Sequence, residues 1–148
     1  MLAVLLFTAI TASGAPAGPK PPAHRVYVVA AESPGSASSD DLKDCDDAVQ
    51  DLRDALGKKK GVTIVDDSAS ADIKLEIVKC ETRDLGGGGF GGKTITPFDQ
   101  KMIHIHAVSS ADQADFRGEA PGYWNRAAKD AADRIEKWIQ RQPKAKER

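Results

Sequence analysis

The chain has 148 residues, and its 21 basic side chains nearly balance its 22 acidic ones, which leaves a formal net charge of −1. A near-neutral balance gives no reason to expect nucleic acid or an anionic membrane surface as a partner, because such binding depends on clustered Lys and Arg. The length fits one domain of ordinary size. Only four Phe, two Trp and two Tyr are available to fill it, so we expect a modest core of aliphatic side chains.

The first residues have the pattern of a secretory signal peptide. Leu2–Ala12 is an apolar run that is too short to cross a bilayer as a helix of about 20 residues. Small residues follow, and residues 15–17 have the form of an A-x-A cleavage site. We therefore predict that residues 1–17 are a signal peptide, that the mature chain has no membrane span, and that the protein is exported, either periplasmic or secreted.

The rest of the chain is predicted to contain one domain between two short flanking segments. Residues 18–24 (GPKPPAH) are predicted to form a Pro-rich linker. The domain is predicted to occupy residues 25–142, and residues 143–148 (PKAKER) are predicted to form a solvated basic tail. His24 falls in the linker, and we expect no functional role for it.

The first half of the domain is predicted to form a strand followed by a helix. Arg25–Ala31 is a near-continuous apolar run rich in β-branched residues, which predicts a strand buried on both faces. The helix is predicted over residues 40–60, where five aspartates lie on the side opposite to one apolar stripe. We interpret the aspartates as a solvated face. The stripe consists of Leu42, Cys45, Val49, Leu52 and Leu56.

Further strands and a second helix complete the predicted domain. A short strand is predicted at residues 61–67. Apolar and polar residues alternate at 71–82 and at 101–108, which predicts two further strands, and a short fifth strand is predicted at 115–120. Residues 123–142 have the apolar spacing of a helix. The alternation leaves one sheet face in water, so we place both helices on the other. The expected fold is an α+β two-layer sandwich with a mixed four- to five-stranded sheet, in the order β-α-β-β-β-α.

A glycine-rich segment matches the phosphate-loop pattern G-x-x-x-x-G-K-[ST] at Gly87–Thr94. A phosphate loop requires a helix that begins at the Lys-Thr pair, but here Pro97 and a strand follow without room for one. We therefore expect no bound nucleotide and interpret residues 83–100 as a hairpin loop. Loops of this length are uncommon unless they are functional or disordered, so its two aromatic residues, Phe90 and Phe98, are candidates for partner contact.

Cys45 and Cys80 are the only cysteines, and a pair in an exported protein predicts a disulfide. Cys45 faces the core from its helix, whereas alternation counted from Ile77 places Cys80 on the polar sheet face. The disulfide therefore requires a bulge near Val78, or a strand that ends before Cys80. The alternative is two unpaired cysteines, one buried and one near the surface.

The same alternation suggests a metal site. Met102, His104 and His106 are predicted to project from the polar face, and Cys80 shares that face by the same count. Such a set of sulfur and imidazole ligands suits Cu or Zn, and same-face neighbours about 6.5–7 Å apart allow two histidines to converge on one ion. The alternative is surface histidines on a solvated sheet face.

Five segments follow one another within Arg25–Gln142, namely RVYVV, DAVQDLRDAL, GVTIVDD, ADIKLEIV and AAKDAADRIEKWI. This layout resembles a periplasmic domain class found in the N-terminal domain of the Tol-system β-propeller protein and in curli-pore-type lipoproteins. Such domains dock partners or oligomerise in the cell envelope rather than catalyse. The resemblance therefore implies a protein partner in the envelope, and it carries over no site residue.

The chain contains no G-x-S-x-G or H-E-x-x-H motif, and we assign no catalytic residue. The function predicted from the sequence is an exported, non-catalytic binding or scaffold module of the bacterial cell envelope, which contacts its partner through the glycine-rich loop or a sheet edge. Two alternatives stay open. One is an exported Cu- or Zn-binding protein, and the other is a small secreted hydrolase.

Overall fold

The computed structural model covers most of the predicted domain. The predicted signal peptide, most of the predicted linker, and residues 144–148 of the basic tail lie outside the described residues. Residues 86–98 also lie outside them, so the interpretations of the glycine-rich segment and of Phe90 and Phe98 stay predictions. The described ranges are 23–32, 39–85 and 99–143.

Within these ranges the chain forms five strands, two α-helices and a single-turn 3-10 helix at Ser68–Ser70, and the strands make one sheet in the order β2-β1-β3-β4-β5. β1 is parallel to both β2 and β3, whereas β3, β4 and β5 are antiparallel neighbours. This mixed sheet with two helices confirms the predicted α+β class. The elements are β1 (His24–Ala30), α1 (Ser39–Gly57), β2 (Val62–Val65), β3 (Ile73–Asp84), β4 (Asp99–Ser109), β5 (Gln113–Pro121) and α2 (Trp124–Ile139).

The core lies between one face of the sheet and the two helices. Alternate strand residues point into it, as the period-two pattern predicts, and the helices contribute apolar stripes. Lys59, just after α1, contacts Asp133 and Glu136 of α2 and so joins the two helices at the rim of this layer. Central members of the core are Val26 and Val28 from β1, Ile73, Leu75 and Ile77 from β3, Ile103 and Ile105 from β4, Leu52 and Leu56 from α1, and Ala131 and Ile135 from α2.

β1 differs from its prediction in two respects. It begins at His24, which is only 8% exposed, so this residue belongs to the domain and not to the linker. β1 is also not buried on both faces, because Val28 is buried while Tyr27 and Val29 are only half-buried. The physical reason is that both helices pack on the same face, so an apolar run need not mean two covered faces.

The start of β1 is held to the start of β3 by Arg25 and Asp72. The Arg25 amide donates to Asp72 Oδ2 at 2.9 Å, and the Arg25 guanidinium donates to Oδ1 at 2.8 Å. The Asp72 amide donates to the Arg25 carbonyl at 2.8 Å. The side-chain hydrogen bond from Arg25 is the main reason why the pKa of Asp72 lies below its ordinary value. The paired charges therefore stabilise the folded state while Asp72 is ionised.

α2 lies directly on the backbone of β5 at Gly118. A Cβ atom built at Gly118 would lie 2.2 Å from the Ala127 carbonyl oxygen and 2.6 Å from the Ala131 Cβ. Small side chains on both elements therefore allow the helix to approach this strand closely. Four alanines of α2 are fully buried, namely Ala127, Ala128, Ala131 and Ala132.

Replacing Gly118 with Ala is expected to destabilise the protein by about 1–3 kcal/mol or more, because the added methyl group has no space and the helix must shift. Urea denaturation of the purified chain measures the effect. Gly57→Ala is the matched control, since its added methyl would meet only Ile64 Cγ1 at 3.8 Å. Equal stabilities of the two variants would show that α2 is not in close contact with β5.

Asp72→Asn is expected to lower stability at neutral pH and to have less effect in acid. Because the folded pKa of Asp72 is depressed, its contribution is present above the unfolded value of about 3.9 and is lost as the pH falls through the folded value. Denaturation of both proteins between pH 7 and pH 2 measures this difference. The exposed Asp46→Asn serves as the control, and a gap between wild type and Asp72→Asn that does not change with pH would contradict the role given to the ion pair.

Candidate functional site

β3 contains a bulge that changes which of its side chains face the helices. Ile77 is opposite Ile105 of β4, but the next pair is Lys79 with His104, so Val78 is an extra residue on β3. Such an insertion breaks the period-two alternation. Beyond the bulge Cys80 is opposite Ile103, a residue that faces the helices.

The bulge brings Cys80 to Cys45 of α1. The two residues form a disulfide, with their Cα atoms 5.5 Å apart, and both sulfurs belong to residues packed against the core cluster. The bulge near Val78 is one of the two conditions under which the sequence allowed this bond. The placement of Cys80 on the polar face, which assumed unbroken alternation, is wrong.

The four predicted metal ligands have different surroundings in the structure. Cys80 is bonded to Cys45 and so offers no thiolate, which corrects its assignment as a ligand. Met102 is only 2% exposed. His104 Nε2 lies 3.2 Å from Glu81 Oε2, whereas His106 Nδ1 lies 2.6 Å from Asp115 Oδ1, so each imidazole has its own carboxylate partner.

Metal binding at His104, His106 and Met102 stays a prediction. In the described part of the chain, no group of three or more His, Cys, Asp and Glu side chains is arranged to hold a metal ion. The two histidines belong to a network of charges on the outer sheet face. Lys79 and, to a smaller extent, His104 hold the pKa of Glu81 below its ordinary value through hydrogen bonds.

β3 has an open edge beyond the end of β1. The two strands pair from Ile73 to Ile77, and just after β1 the Ala31 amide donates to the Ile77 carbonyl at 2.8 Å, which is the last backbone hydrogen bond to β3 that residues 23–32 make. β3 then continues to Asp84 with β4 on one side. No strand within residues 23–32, 39–85 and 99–143 pairs with its other side there. We call residues 78–84 the β3 edge.

A groove of about 730 Å³ runs beside the β3 edge. One wall consists of Ala30 and Ala31 at the end of β1, and α1 contributes Cys45 with an aspartate on each side of it. The disulfide therefore lies in the groove wall. The β3 edge supplies the remaining described lining, together with Ile77 and Met102. The groove thus combines a strand edge with small apolar groups and several charges.

The two outer edges of the sheet are less suited to pairing with another chain. On β5, the Glu119 amide donates to Asp130 Oδ2 of α2 at 3.1 Å, so this backbone group already has a partner. β2 has only four residues. Short edge strands and side chains that occupy the edge are known ways in which proteins avoid unwanted strand pairing.

A smaller pocket of about 200 Å³ lies at the start of β1, where His24, Asp72 and Ser109 share the lining. The Ser109 hydroxyl donates to Gln142 Oε1 at 2.8 Å, and the Asp72 carboxylate accepts from Arg25. Both groups are therefore engaged with partners other than His24. In the described residues the hydrogen bonds of the Ser109 hydroxyl are to Gln142, to the Asp112 carbonyl and to the amides of Ala111 and Asp112.

Three of the solved structures to which the chain is similar are of bacterial proteins. The first is uncharacterized lipoprotein B from Nitrosomonas europaea (14% identity, TM-score 0.44, 80% of this chain and 83% of that chain covered). The second is a variant of PelC from Paraburkholderia phytofirmans, solved as a dodecamer (16% identity, TM-score 0.46, 81% of this chain and 89% of that chain covered). The third is a candidate lipoprotein from Caulobacter crescentus (15% identity, TM-score 0.38, 80% of this chain and 93% of that chain covered).

No protein-family model matches the chain, and no curated protein matches it. Two of these three structures are described as lipoproteins. None of them is named as a Tol-system propeller protein or a curli-pore protein, so that resemblance stays a prediction. Neither of the two helices in the described residues is long and apolar enough to span a membrane.

Removal of the disulfide by the double substitution Cys45→Ser, Cys80→Ser is expected to lower the free energy of unfolding by about 2–4 kcal/mol, because the bond closes a loop between residues 35 positions apart. Thermal or urea denaturation measures the loss. Dithiothreitol should destabilise the wild type and leave the double variant unchanged. Two titratable thiols in the unreduced, denatured protein would contradict the bond.

Proposed function

We propose that this protein is an exported, non-catalytic binding module of the bacterial cell envelope, which captures a protein partner by strand addition at the β3 edge. The observation that carries this proposal is the β3 edge itself, which continues beyond β1 beside a groove of about 730 Å³. An edge strand presents backbone N–H and C=O groups that can pair with an extended chain. Main-chain hydrogen bonds then provide affinity, and pockets for alternate side chains provide specificity.

The dimensions of the site suit a short extended segment. At about 3.3 Å per residue, the β3 edge is about 20 Å long, which matches a segment of about six residues. The groove volume also lies within the range of about 300–1,000 Å³ that is usual for ligand sites. A rigid wall favours binding because less conformational entropy is lost, and here the disulfide fixes α1 to β3.

Export is supported by the disulfide, because such bonds persist mainly in oxidising compartments. The N-terminal pattern of a signal peptide points to the same compartments. Partner contact through Phe90 and Phe98, which lie outside the described residues, is a second route to the same function, since the segment that contains them follows the β3 edge along the chain. Deletion of Gly86–Gly92 would separate the two routes, because it leaves the β3 edge in place.

The proposal is tested by photo-crosslinking in the bacterium that exports the protein. A benzophenone amino acid replaces Arg83 on the β3 edge or, as a matched control, Asp115 on β5; both positions are exposed. We expect crosslinks to an envelope protein from position 83 and not from position 115. Ala31→Arg, which fills the groove wall, should abolish them, whereas Ala69→Arg, on an exposed turn, should not.

Equal crosslinking from positions 83 and 115 would contradict the proposal. So would crosslinks from position 83 that survive Ala31→Arg in a protein whose thermal denaturation is unchanged. A crosslinked second copy of this chain would identify the β3 edge as a self-association surface instead.

A further inference from the structure

The shape and charge of the β3 edge indicate what kind of segment it binds, and this inference rests on the proposed function. Beyond the bulge, side chains of β3 alternate between two environments. Cys80 and Thr82 are on the helix side, whereas Lys79, Glu81 and Arg83 are on the outer side, as their partners on β4 show. A strand that pairs with this edge must have the same alternation.

The helix-side positions of an added strand would enter the groove. Its nearest walls are Ala30, Ala31 and the disulfide between Cys45 and Cys80. These groups are small and apolar, and they carry no side-chain hydrogen-bond donor. Polar side chains placed against these groups would lose water without gaining partners, which is unfavourable. Asp44 and Asp46 line the α1 side of the same groove, next to Cys45. The inner positions therefore suit small or β-branched apolar residues such as Ala and Val.

The outer positions would lie beside Lys79, Glu81 and Arg83. Lys79 is already paired with Glu81. Arg83 is exposed and forms no ion pair of 4 Å or less with another described residue, although its charge also acts on the more distant Glu119 of β5 and helps to hold the pKa of that carboxyl below its ordinary value. Opposite charges on neighbouring strands attract each other. The position next to Arg83 therefore suits an Asp or Glu side chain.

We infer that the β3 edge recognises an extended polypeptide segment in which small or β-branched apolar residues alternate with polar ones, and in which an acidic residue is paired with Arg83. Hydrogen bonds to the backbone of β3 hold the segment, and the apolar side chains fill the groove. A shift by one residue would move every apolar side chain out of the groove, and a shift by two would separate the acidic residue from Arg83, so the two contacts together fix the register.

The test uses synthetic heptapeptides and the full oxidised chain, with binding measured by fluorescence anisotropy. The probe is the fluorescein-labelled peptide TVEVTVT, which has the inferred alternation. Its controls are VVVETTT, which has the same composition without alternation, and TVEVTVT with N-methylated amides at alternate residues. We expect at least tenfold weaker binding of both controls, because one loses the pattern and the other loses backbone hydrogen bonds.

The acidic position is tested by a charge exchange. Arg83→Glu should weaken the binding of TVEVTVT by about twofold to fivefold, which is the usual contribution of an exposed ion pair to affinity. The same substitution should strengthen the binding of TVKVTVT, in which Lys replaces the acidic residue, by a similar factor. Glu136→Gln, on α2, is the control and should change neither affinity.

Equal affinity for TVEVTVT and VVVETTT, or no binding of any heptapeptide, would overturn the inferred pattern. The crosslinking experiment does not depend on that pattern, so a partner captured at position 83 together with such a result would leave the proposed function standing. Mass spectrometry of the crosslinked segment decides the matter independently, since a helical or non-alternating segment would also overturn the inference.

Discussion

The bulge at Val78 is the constraint on which the candidate site depends. A strand has a strict alternation of faces, so one inserted residue reverses the orientation of everything that follows. Without it, Cys80 would face water, and Lys79, Glu81 and Arg83 would face α1. With it, Cys80 meets Cys45, and the three charged residues lie on the outer face. The disulfide in turn fixes the bulged register, because any slip would separate the two sulfurs.

The sheet is asymmetric, and this asymmetry distinguishes the β3 edge from the other edges. At β5, Gly118 lets α2 come close enough for Asp130 to accept from the Glu119 amide. At the opposite side, β2 is short. β3 has 12 residues and β1 only seven, so β3 projects beyond its parallel neighbour. Backbone groups there need a partner or water, and the adjoining groove gives room for another chain.

The outer face of the sheet is covered by charges that balance across strands. Lys79, His104 and Arg117 form one row, and Glu76, His106 and Asp115 form the next. The first row pairs with acidic residues of the row on its other side, Lys79 with Glu81 and Arg117 with Glu119. Exposed pairs of this kind are each worth only about 0–1 kcal/mol. Their main effect is to keep a broad sheet face hydrated, and the two histidines take part in this pattern.

The sequence by itself determined the elements that periodicity controls. The alternation in β3 and β4 identified the inward residues, including Ile73, Leu75, Ile103 and Ile105, and the apolar stripe of α1 included Leu52 and Leu56. These patterns are local, because each side chain's direction follows from its position in a strand or helix. They were sufficient for the α+β class with both helices on one face.

Only the tertiary structure decided where that periodicity is interrupted and where strands end relative to one another. The sequence named Val78 as a place for a bulge but could not choose between a bulge and an earlier strand end. It placed His24 in a linker and treated β1 as buried on both faces, because a single strand does not reveal its neighbours. The β3 edge was not recognised, although the short run RVYVVAA beside a much longer strand was a usable signal. Strand register and overhang are set by contacts between distant segments, and those contacts exist only after the chain has folded.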